Sequence, residues 1–311
     1  MKPFRKNVAL AVDGGGIRGT IVARALAVVE ESLGYPVSKV VQLAAGTSTG
    51  SVIAAGIAMR LPAARLHELY VEMAPAIFRR SLRFYSPFAR YRFSNQPMVD
   101  AMRAVCGERT MGDFWVGPRP RDVVITVRDL LDNRTRFVKP WKPDYRDWKV
   151  WYTVLCSCSV PVLFPPVDGR FVDGGFGCYV NPCYLAAYEA AYCLGWDLTE
   201  TTLISLGTGR GPAGLMPHEV QRFHLWDWIS PALDTFMSDA SDQQVRLVQQ
   251  FFPGLDFRRF QVDLDANIDS TDPSKLPILT ELGDTMGQMI LADEVDPKVD
   301  RQAGRPPAGR R

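Results

Sequence analysis

The sequence lacks the residue spacing of a metal site. Its 311 residues include three histidines and six cysteines, Cys106, Cys156, Cys158, Cys178, Cys183 and Cys193. The cysteine spacings match no standard zinc pattern, and no D-x-[DN]-x-[DN]-G loop is visible. We therefore predict no metal and calcium independence. We also expect no organic cofactor. We interpret the cysteines as buried, reduced thiols in a reducing compartment.

A strong charge imbalance and an unbroken membrane-spanning run are also missing. The formal net charge of +2 indicates no specialisation for nucleic acid, so no nucleic-acid partner is expected. The long uncharged runs 40–59 and 150–167 are interrupted, the first by a glycine turn and the second by three prolines. The basic start, 1–6, precedes an apolar stretch that ends at Asp13, too short for a signal-peptide core. These features predict a cytoplasmic protein, with peripheral association to the inner face of the membrane.

Nucleotide-binding signatures are incomplete. The pattern Gly14-x-Gly16-x-x-Gly19 satisfies the dinucleotide fingerprint literally. The confirming acid about 20 residues further on is missing, because the next strand candidate ends in Ala44-Ala45-Gly46. The chain contains no Gly-Lys dipeptide, which excludes a G-x-x-x-x-G-K-[ST] loop. A nucleotide-binding module that uses the loop Gly14 to Gly19 stays an alternative from another functional class.

The sequence does contain a G-x-S-x-G pentapeptide, Gly46-Thr47-Ser48-Thr49-Gly50, between two apolar runs. Such a pentapeptide predicts a sharp turn from a strand into a helix, with the serine side chain at the top of a sheet. The elbow glycines Gly46 and Gly50 permit the required φ angles and close approaches. The helix N-terminus beside Ser48 favours developing negative charge.

A second motif, Asp13-Gly14-Gly15-Gly16-Ile17-Arg18-Gly19, follows the strand candidate 8–12. Three successive glycines leave backbone N–H groups uncovered, so the loop can surround an anion or an oxyanion. Apolar residues at helical spacing begin directly after it and stop before Gly34. The loop is therefore predicted at a helix N-terminus.

A third motif is Phe171-Val172-Asp173-Gly174-Gly175, in which Asp173 lies 125 residues after Ser48. A plain turn is the alternative interpretation, because Asp-Gly is a common turn dipeptide.

The sequence also predicts further secondary-structure elements. They are a hairpin formed by 122–128 and 135–139, a helix over 63–76, a helix between Asn181 and Gly195, and a strand over 201–206.

Together the three motifs resemble the patatin-like phospholipase family, whose signature is D-G-G-G-x-R-G, then G-x-S-x-G, then D-G-G or D-G-A. The resemblance covers about 8–210 and includes the stretches 157–165 and 204–209. It implies an α/β, three-layer patatin-like fold with a mainly parallel central sheet flanked by helices on both faces. We predict a single domain over 1–300, with a motif-bearing core at 8–210 and a helical and strand extension at 211–300. The tail 301–311 is expected to be disordered.

The resemblance also implies a function, that of a phospholipase A-type lipid acyl hydrolase. Ser48 would be the nucleophile and Asp173 the base of a Ser-Asp dyad that forms an acyl-serine intermediate. Gly14, Gly15 and Gly16 would donate to the oxyanion, and Arg18 would order the loop or the developing charge. The partner would be a membrane phospholipid or related acyl ester. A subset of bacterial family members is switched on by cyclic oligonucleotides, so a small nucleotide activator and a role as a regulated bacterial effector are compatible with the sequence.

An α/β-hydrolase triad is the alternative within the same reaction class, because His218 and His224 both follow Asp173 in the order Ser, Asp, His. Ser48 follows only the second predicted strand, which is early for that fold. The oxyanion motif of that fold also begins with His, where this chain has Asp13.

A basic and aromatic segment, 76–93, has no acidic residue and interleaves arginines with aromatic rings. We predict that it covers or flanks the active site and docks on anionic membrane, and binding of a nucleotide activator is the alternative. The candidate contacts are Arg79, Arg80, Arg83, Phe84 and Tyr85. A third interpretation places the aromatics in the core and the arginines on its rim. The oligomeric state stays open.

Overall fold

A computed structural model describes residues 2–79, 90–116, 120–212, 217–224, 229–265 and 268–297. Its strands are β1 (Asn7–Val12), β2 (Leu43–Gly46), β3 (Asp122–Asp129), β4 (Arg134–Val138), β5 (Phe171–Asp173), β6 (Thr201–Leu206) and β7 (Asp256–Phe260). Its helices are α1 (Gly19–Leu33), α2 (Thr49–Ala58), α3 (Ala63–Ile77), α4 (Gln96–Cys106), α5 (Val150–Cys158), α6 (Cys183–Tyr188), α7 (Pro217–Val220), α8 (Ile229–Phe251) and α9 (Leu276–Ala292).

The strands of the described residues form one mixed sheet in the order β4-β3-β2-β1-β6-β7, and β5 also pairs with β3. The pairs β1–β2, β2–β3, β1–β6 and β6–β7 are parallel, whereas β4 and β5 both run antiparallel to β3. The hairpin predicted from the sequence is thus confirmed as β3 and β4. The expected strand over 201–206 is confirmed as β6.

Helices cover both faces of the sheet. Leu10, Val12 and Ile125 point to one face, where they pack with apolar residues of α1, α2, α3, α4, α5 and α9. Ala9 and Ala11 point to the other face, against α6 and α8. Alternate side chains of a strand lie on opposite faces, so a strand buried on both faces is apolar throughout, as β1 is. The expected three-layer α/β architecture is confirmed.

The helix predicted from 63 to 76 is confirmed as α3, Ala63–Ile77. The helix expected between Asn181 and Gly195 begins at Cys183, whose N–H donates to Asn181 Oδ1 at 3.0 Å. It continues from α6 through a π-helical turn, Glu189–Cys193. The C-terminal part of the chain adds β7 to the sheet and places α9 against α1. The predicted tail, 301–311, lies outside the described residues.

Three loops meet at one edge of the sheet. Val12 at the end of β1 is level with Gly46 at the end of β2 and with Leu206 at the end of β6. The glycine loop, the serine elbow and the turn after β6 therefore all leave the carboxyl edge of parallel strands, where α/β proteins bind ligands. Within the described ranges, no helix is long and apolar enough to cross a membrane.

Candidate active site

Ser48 occupies the elbow between β2 and α2 in a strained backbone conformation. Its φ of 53° and ψ of −126° lie in a region that residues other than glycine rarely adopt. Both flanking glycines are sterically required, because a Cβ on Gly46 would overlap the Gly50 carbonyl and a Cβ on Gly50 would overlap the Val12 carbonyl. The elbow therefore fits against the end of β1 only with the two glycines in place.

Two buried serines hold this conformation. The Ser48 N–H donates to Ser157 Oγ at 2.9 Å, and Ser51 Oγ donates to the Ser48 carbonyl at 2.6 Å. Ser157 lies on α5 and is fully buried. The sequence placed Ser157 within the family-like stretch but indicated no role for it, because its contact spans 109 residues.

Asp173 ends β5 and is brought to the elbow by the fold. Its N–H donates to the Ser159 carbonyl at 3.0 Å, and its Oδ1 accepts from the Gly175 N–H at 2.7 Å. The other oxygen, Oδ2, is buried and has no hydrogen-bond partner within the described residues. The Ser48 hydroxyl forms no well-directed hydrogen bond to Oδ2, but it is close enough to lower the pKa of the carboxylate as a hydrogen-bond donor does.

The pKa of Asp173 is raised to about 6. Burial raises it, and the Ser48 hydroxyl and the Gly175 N–H lower it in part. A carboxylate of this pKa is ionised at neutral pH and is still basic enough to accept a proton from a positioned hydroxyl. The arrangement thus has the acid-base properties that a serine nucleophile needs.

Gly14, Gly15 and Gly16 form a tight loop next to the elbow. A Cβ on Gly14 would lie 3.3 Å from Ser48 Cβ, so the loop and the nucleophile are neighbours. The Gly14 N–H donates to the Val180 carbonyl at 2.9 Å. Within the described residues, the N–H groups of Gly15 and Gly16 have no acceptor. These two groups, rather than that of Gly14, are available to an oxyanion.

Arg18 and Thr208 order this loop through its carbonyls. The Arg18 N–H and Nε donate to the Gly15 carbonyl at 3.1 and 3.4 Å, and Thr208 Oγ1 donates to the Gly14 carbonyl at 2.7 Å. The Ile17 N–H donates to the Ser270 carbonyl at 2.9 Å. The loop carbonyls are therefore held by donors from within the loop and from the turn after β6, while the loop itself is tied to the segment that precedes α9.

A buried ion pair lies beneath the loop. Arg259 of β7 donates to both carboxylate oxygens of Asp13, in one case at 2.8 Å, and to Ser205 Oγ at 2.7 Å. Burial raises the pKa of Asp13, and the adjacent Arg259 guanidinium lowers it. The sequence analysis missed Arg259, because no motif covers the C-terminal third and the contact spans 246 residues.

The two histidines of the alternative triad lie at solvent-exposed positions. His218 is in α7 and His224 follows it, and both side chains are exposed, whereas Ser48 and Asp173 are buried. Two exposed histidines and a buried Ser48 and Asp173 do not match the enclosed hydrogen-bonded triad that this chemistry requires.

The predicted membrane or activator segment is only partly described. Arg79 is exposed, and Arg80, Arg83, Phe84 and Tyr85 lie outside the described residues. Of the flanking aromatics, Phe78 and Phe93 pack edge to face at 5.4 Å between ring centroids, and Phe93 also contacts Phe164 at 5.5 Å. At these two positions, the interpretation that the aromatics belong to the core is confirmed.

The cysteines differ from the expectation in part. All six are free thiols, and Cys106, Cys156, Cys158 and Cys183 are buried as predicted. Cys178 is half-buried and Cys193 is exposed, which corrects the prediction of six buried thiols. The Cys158 thiol lies 3.8 Å from Ser51 Oγ, and burial and the Asp173 carboxylate raise its pKa, so it stays protonated near Asp173. Within the described ranges, no group of three or more His, Cys, Asp or Glu residues is placed to hold a metal.

Three characterised proteins are similar to this chain in sequence. An intracellular phospholipase A2 of Caenorhabditis elegans is 27% identical over 66% of this chain and 20% of its own length. A cGAMP-activated phospholipase of Pseudomonas aeruginosa is 32% identical over 66% of this chain and 65% of its own length. A cUMP-AMP-activated phospholipase of Escherichia coli is 28% identical over 65% of both chains. This chain therefore spans less than two thirds of each of these relatives.

One solved structure resembles the fold of this chain, and one family profile matches its sequence. The crystal structure of VipD from Legionella pneumophila has a TM-score of 0.52, at 10% identity, over 93% of this chain and 67% of VipD. A profile of patatin-like phospholipases matches residues 10–187, which include the glycine loop, the elbow and Asp173. Because the match covers more than half of the chain and all three motifs, this chain belongs to the patatin-like phospholipase family.

Proposed function

We propose that this chain is a lipid acyl hydrolase of the phospholipase A type, which cleaves fatty acyl esters of phospholipids with a Ser-Asp dyad. One observation carries the proposal. A buried serine in a strained elbow lies beside a buried carboxylate that has a pKa of about 6 and one unpartnered oxygen. Strain and an unsatisfied buried oxygen both cost stability, so their coincidence at one place supports a catalytic role.

The first half of the reaction forms an acyl-enzyme. Asp173 Oδ2 takes the proton of the Ser48 hydroxyl while Ser48 Oγ bonds to the ester carbonyl carbon. The carbonyl oxygen becomes an oxyanion, which the N–H groups of Gly15 and Gly16 stabilise beside the N-terminus of α2. The bond to the lysophospholipid oxygen then breaks, and that oxygen takes the proton from Asp173. In this scheme the Gly14 N–H keeps its bond to Val180 and holds the loop in position.

The second half releases the fatty acid. Water gives a proton to Asp173 as its oxygen bonds to the acyl carbon, which forms a second oxyanion in the same place. Collapse of this intermediate breaks the bond to Ser48 Oγ, and Ser48 recovers the proton from Asp173. A single carboxylate thus serves as base and then acid in each half, so the cycle balances without a histidine.

The relatives support a further proposal about regulation. Two proteins similar to this chain are named for activation by cyclic dinucleotides, cGAMP and cUMP-AMP. We propose that a small nucleotide also activates this chain. The basic and aromatic segment 76–93, only part of which lies within the described residues, is one candidate for the contact.

The experiment is release of fatty acid from mixed phospholipid vesicles by the wild type, Ser48→Ala, Asp173→Asn and His224→Ala. Loss of activity of at least about a thousandfold in the first two variants, with retention in His224→Ala, is the expected result. If His224→Ala loses activity equally, a Ser-Asp-His triad replaces the dyad.

For the test of activation, each protein is also assayed with and without cGAMP and cUMP-AMP. A wild type that is silent alone and active with a nucleotide supports the activator, and one that is equally active in both refutes it.

A further inference from the structure

Several large apolar side chains are exposed at the edge of the sheet that bears the candidate active site. Leu130 and Leu131 follow β3 and are 44% and 73% exposed, Val162 is 75% exposed, and Phe176 is 53% exposed. We name these four residues the apolar rim. Exposed apolar side chains that cluster on one part of a surface indicate a site of interaction, whereas scattered ones need no explanation.

The rim residues are tied to Asp173 by the backbone. Val127 of β3 pairs with Asp173. Leu130 lies three residues after Val127 along the chain, which corresponds to about 10 Å of extended backbone. Phe176 lies three residues after Asp173 in the turn Gly174–Gly177, and Gly177 contacts Thr135 of β4. The loop that carries Val162 begins at Ser159, whose carbonyl accepts from the Asp173 N–H. Each rim residue is therefore no more than four residues in sequence from Asp173 or from one of its two backbone partners, Val127 and Ser159.

Val162 presents its side chain at an energetic cost. Its φ is 72°, a conformation that a β-branched residue rarely adopts. Its carbonyl accepts from the Arg92 N–H at 3.0 Å, so the strained residue adjoins the end of the basic and aromatic segment. Neither the strained φ nor the exposed apolar side chain of Val162 stabilises the isolated protein, which favours a role in a contact.

Basic residues accompany the rim. The tip of the β3–β4 hairpin, residues 128–136, carries Arg128, Arg134 and Arg136 against Asp129 and Asp132, and Arg170 immediately precedes β5. Asp129 is fully buried and is neutralised by Arg170 and Arg136, with Arg170 Nη2 at 2.8 Å from Asp129 Oδ2. The side chain of Arg134 is 62% exposed. When the exposed Arg92, which bonds to Val162, and the exposed Asp168 are included, five arginines stand against three acids around the rim, apart from the buried Asp173. This net positive charge beside apolar side chains suits an anionic lipid surface.

We propose that the apolar rim docks this chain on an anionic phospholipid bilayer, with Leu130, Leu131, Val162 and Phe176 inserted among the lipids and the hairpin arginines at the headgroups. The proposal rests on the proposed function, because it explains how an ester bond in a bilayer reaches a buried Ser48. It assigns the contact to described residues outside the segment 76–93. A second copy of this chain is the competing occupant.

The test is sedimentation with phosphatidylcholine vesicles, with and without phosphatidylglycerol. All proteins carry Ser48→Ala, so that the lipid stays intact and binding is measured apart from hydrolysis. The rim variant is Leu130→Ser/Leu131→Ser. The matched control is Phe251→Ser, which removes an equally exposed apolar residue at the end of α8, near the edge where the parallel strands begin. We expect the rim variant to bind anionic vesicles at least about tenfold more weakly, and the control to bind as the parent does.

A second variant, Val162→Gly, separates a loss of vesicle binding from a loss of protein stability. Glycine accepts the φ of 72° without strain, so this change removes an apolar group and raises the thermal midpoint. Weaker binding by a more stable protein supports the rim. Equal vesicle binding by both variants and the parent overturns the proposal, as does a parent that does not bind anionic vesicles. A loss of dimer in sedimentation velocity with unchanged vesicle binding assigns the face to a second copy and also overturns it. Turnover of a monomeric short-chain ester by the wild type tests the hydrolase separately.

Discussion

At the scale of single residues, the environment of Asp173 links activity to stability. The carboxylate is buried, keeps one oxygen unpartnered and has its pKa raised to about 6. The ordinary value for this residue is 3.8, so the folded protein binds a proton at Asp173 more tightly than the unfolded chain does. A buried group of this kind favours the folded state when it is protonated and disfavours it when it is ionised.

The first prediction concerns pH. Because Asp173 must be ionised to accept a proton, kcat/KM for a monomeric ester rises with pH, is half-maximal near pH 6 and is level above it. The stabilising effect of the raised pKa is fully present below about 3.8 and is lost as pH rises through about 6. The full loss is roughly 3 kcal/mol. Asp173→Asn therefore raises the thermal midpoint at pH 8 relative to the wild type.

Two measurements check this prediction, the pH profile of ester turnover and thermal unfolding at pH 5 and pH 8. Thr285→Val is a control for nonspecific effects of pH, because Thr285 is exposed on α9, where its hydroxyl donates to the Glu281 carbonyl at 3.1 Å. A rate profile that is flat from pH 5 to pH 8 would show that Asp173 is not the base.

At the scale of elements, β7 supports the glycine loop from the other end of the chain. Arg259 reaches Asp13 and Ser205 below the loop, and Thr208 after β6 holds the Gly14 carbonyl. Asp13 also donates its own N–H to the Leu206 carbonyl at 3.0 Å. The strand order β1-β6-β7 places all of these groups in neighbouring strands. The position of the proposed oxyanion donors therefore depends on the pairing of three strands.

The second prediction concerns the Asp13–Arg259 pair. Arg259→Met leaves a buried carboxylate without its counter-charge and lowers the free energy of unfolding by about 3 to 5 kcal/mol. Asp13→Asn also lowers the free energy of unfolding, because it leaves the buried Arg259 guanidinium without its counter-charge. The double variant loses less than the sum of the two single variants, since it leaves no unpaired buried charge. Denaturant unfolding of the four proteins measures this coupling.

A matched control for this cycle is Arg24→Met, since Arg24 is paired with Asp284 at 2.7 Å but is partly exposed. We expect the loss for Arg24→Met to be about 1 kcal/mol or less. Additive losses for Asp13 and Arg259 would contradict a specific interaction between them.

At the scale of the whole molecule, we propose that the protein itself supplies the groups that transfer the proton and stabilise the oxyanion. In that proposal, the buried Asp173 carboxylate transfers the proton, and the N–H groups of Gly15 and Gly16 and the N-terminus of α2 stabilise the oxyanion. The apolar rim and its arginines lie at the same edge of the sheet. The edge thus combines the proposed lipid-docking surface with the proposed site of ester cleavage.

The third prediction is calcium independence. Because the proposed oxyanion donors are Gly15 and Gly16, excess EGTA leaves fatty acid release from vesicles unchanged within about twofold. The measurement compares EGTA, EGTA with added calcium, and buffer alone. Loss of activity in EGTA that calcium restores would contradict the prediction. Binding to vesicles is followed in the same samples, so that an effect of calcium on the lipid is separated from an effect on catalysis.

The sequence by itself determined the local geometry of the site. The elbow and the glycine loop could be predicted because φ and Cβ sterics act over a few residues, so that Gly46, Gly50 and the three loop glycines indicate their turns directly. Two strand candidates joined by a turn likewise predicted the β3–β4 hairpin, whereas the three-layer α/β fold was implied by the family resemblance of the three motifs. At this level, residue type and spacing are sufficient information.

Only the tertiary structure decided which groups face one another. Asp173 reaches Ser48 across 125 residues through the β3–β5 pairing, and Arg259 reaches Asp13 across 246. The Gly14 N–H proved to be taken by Val180, which no local pattern indicates. Such contacts depend on strand order, register and burial, which arise when the whole chain packs. The same packing raises the pKa of Asp173, since desolvation acts only on a group that the fold has removed from water.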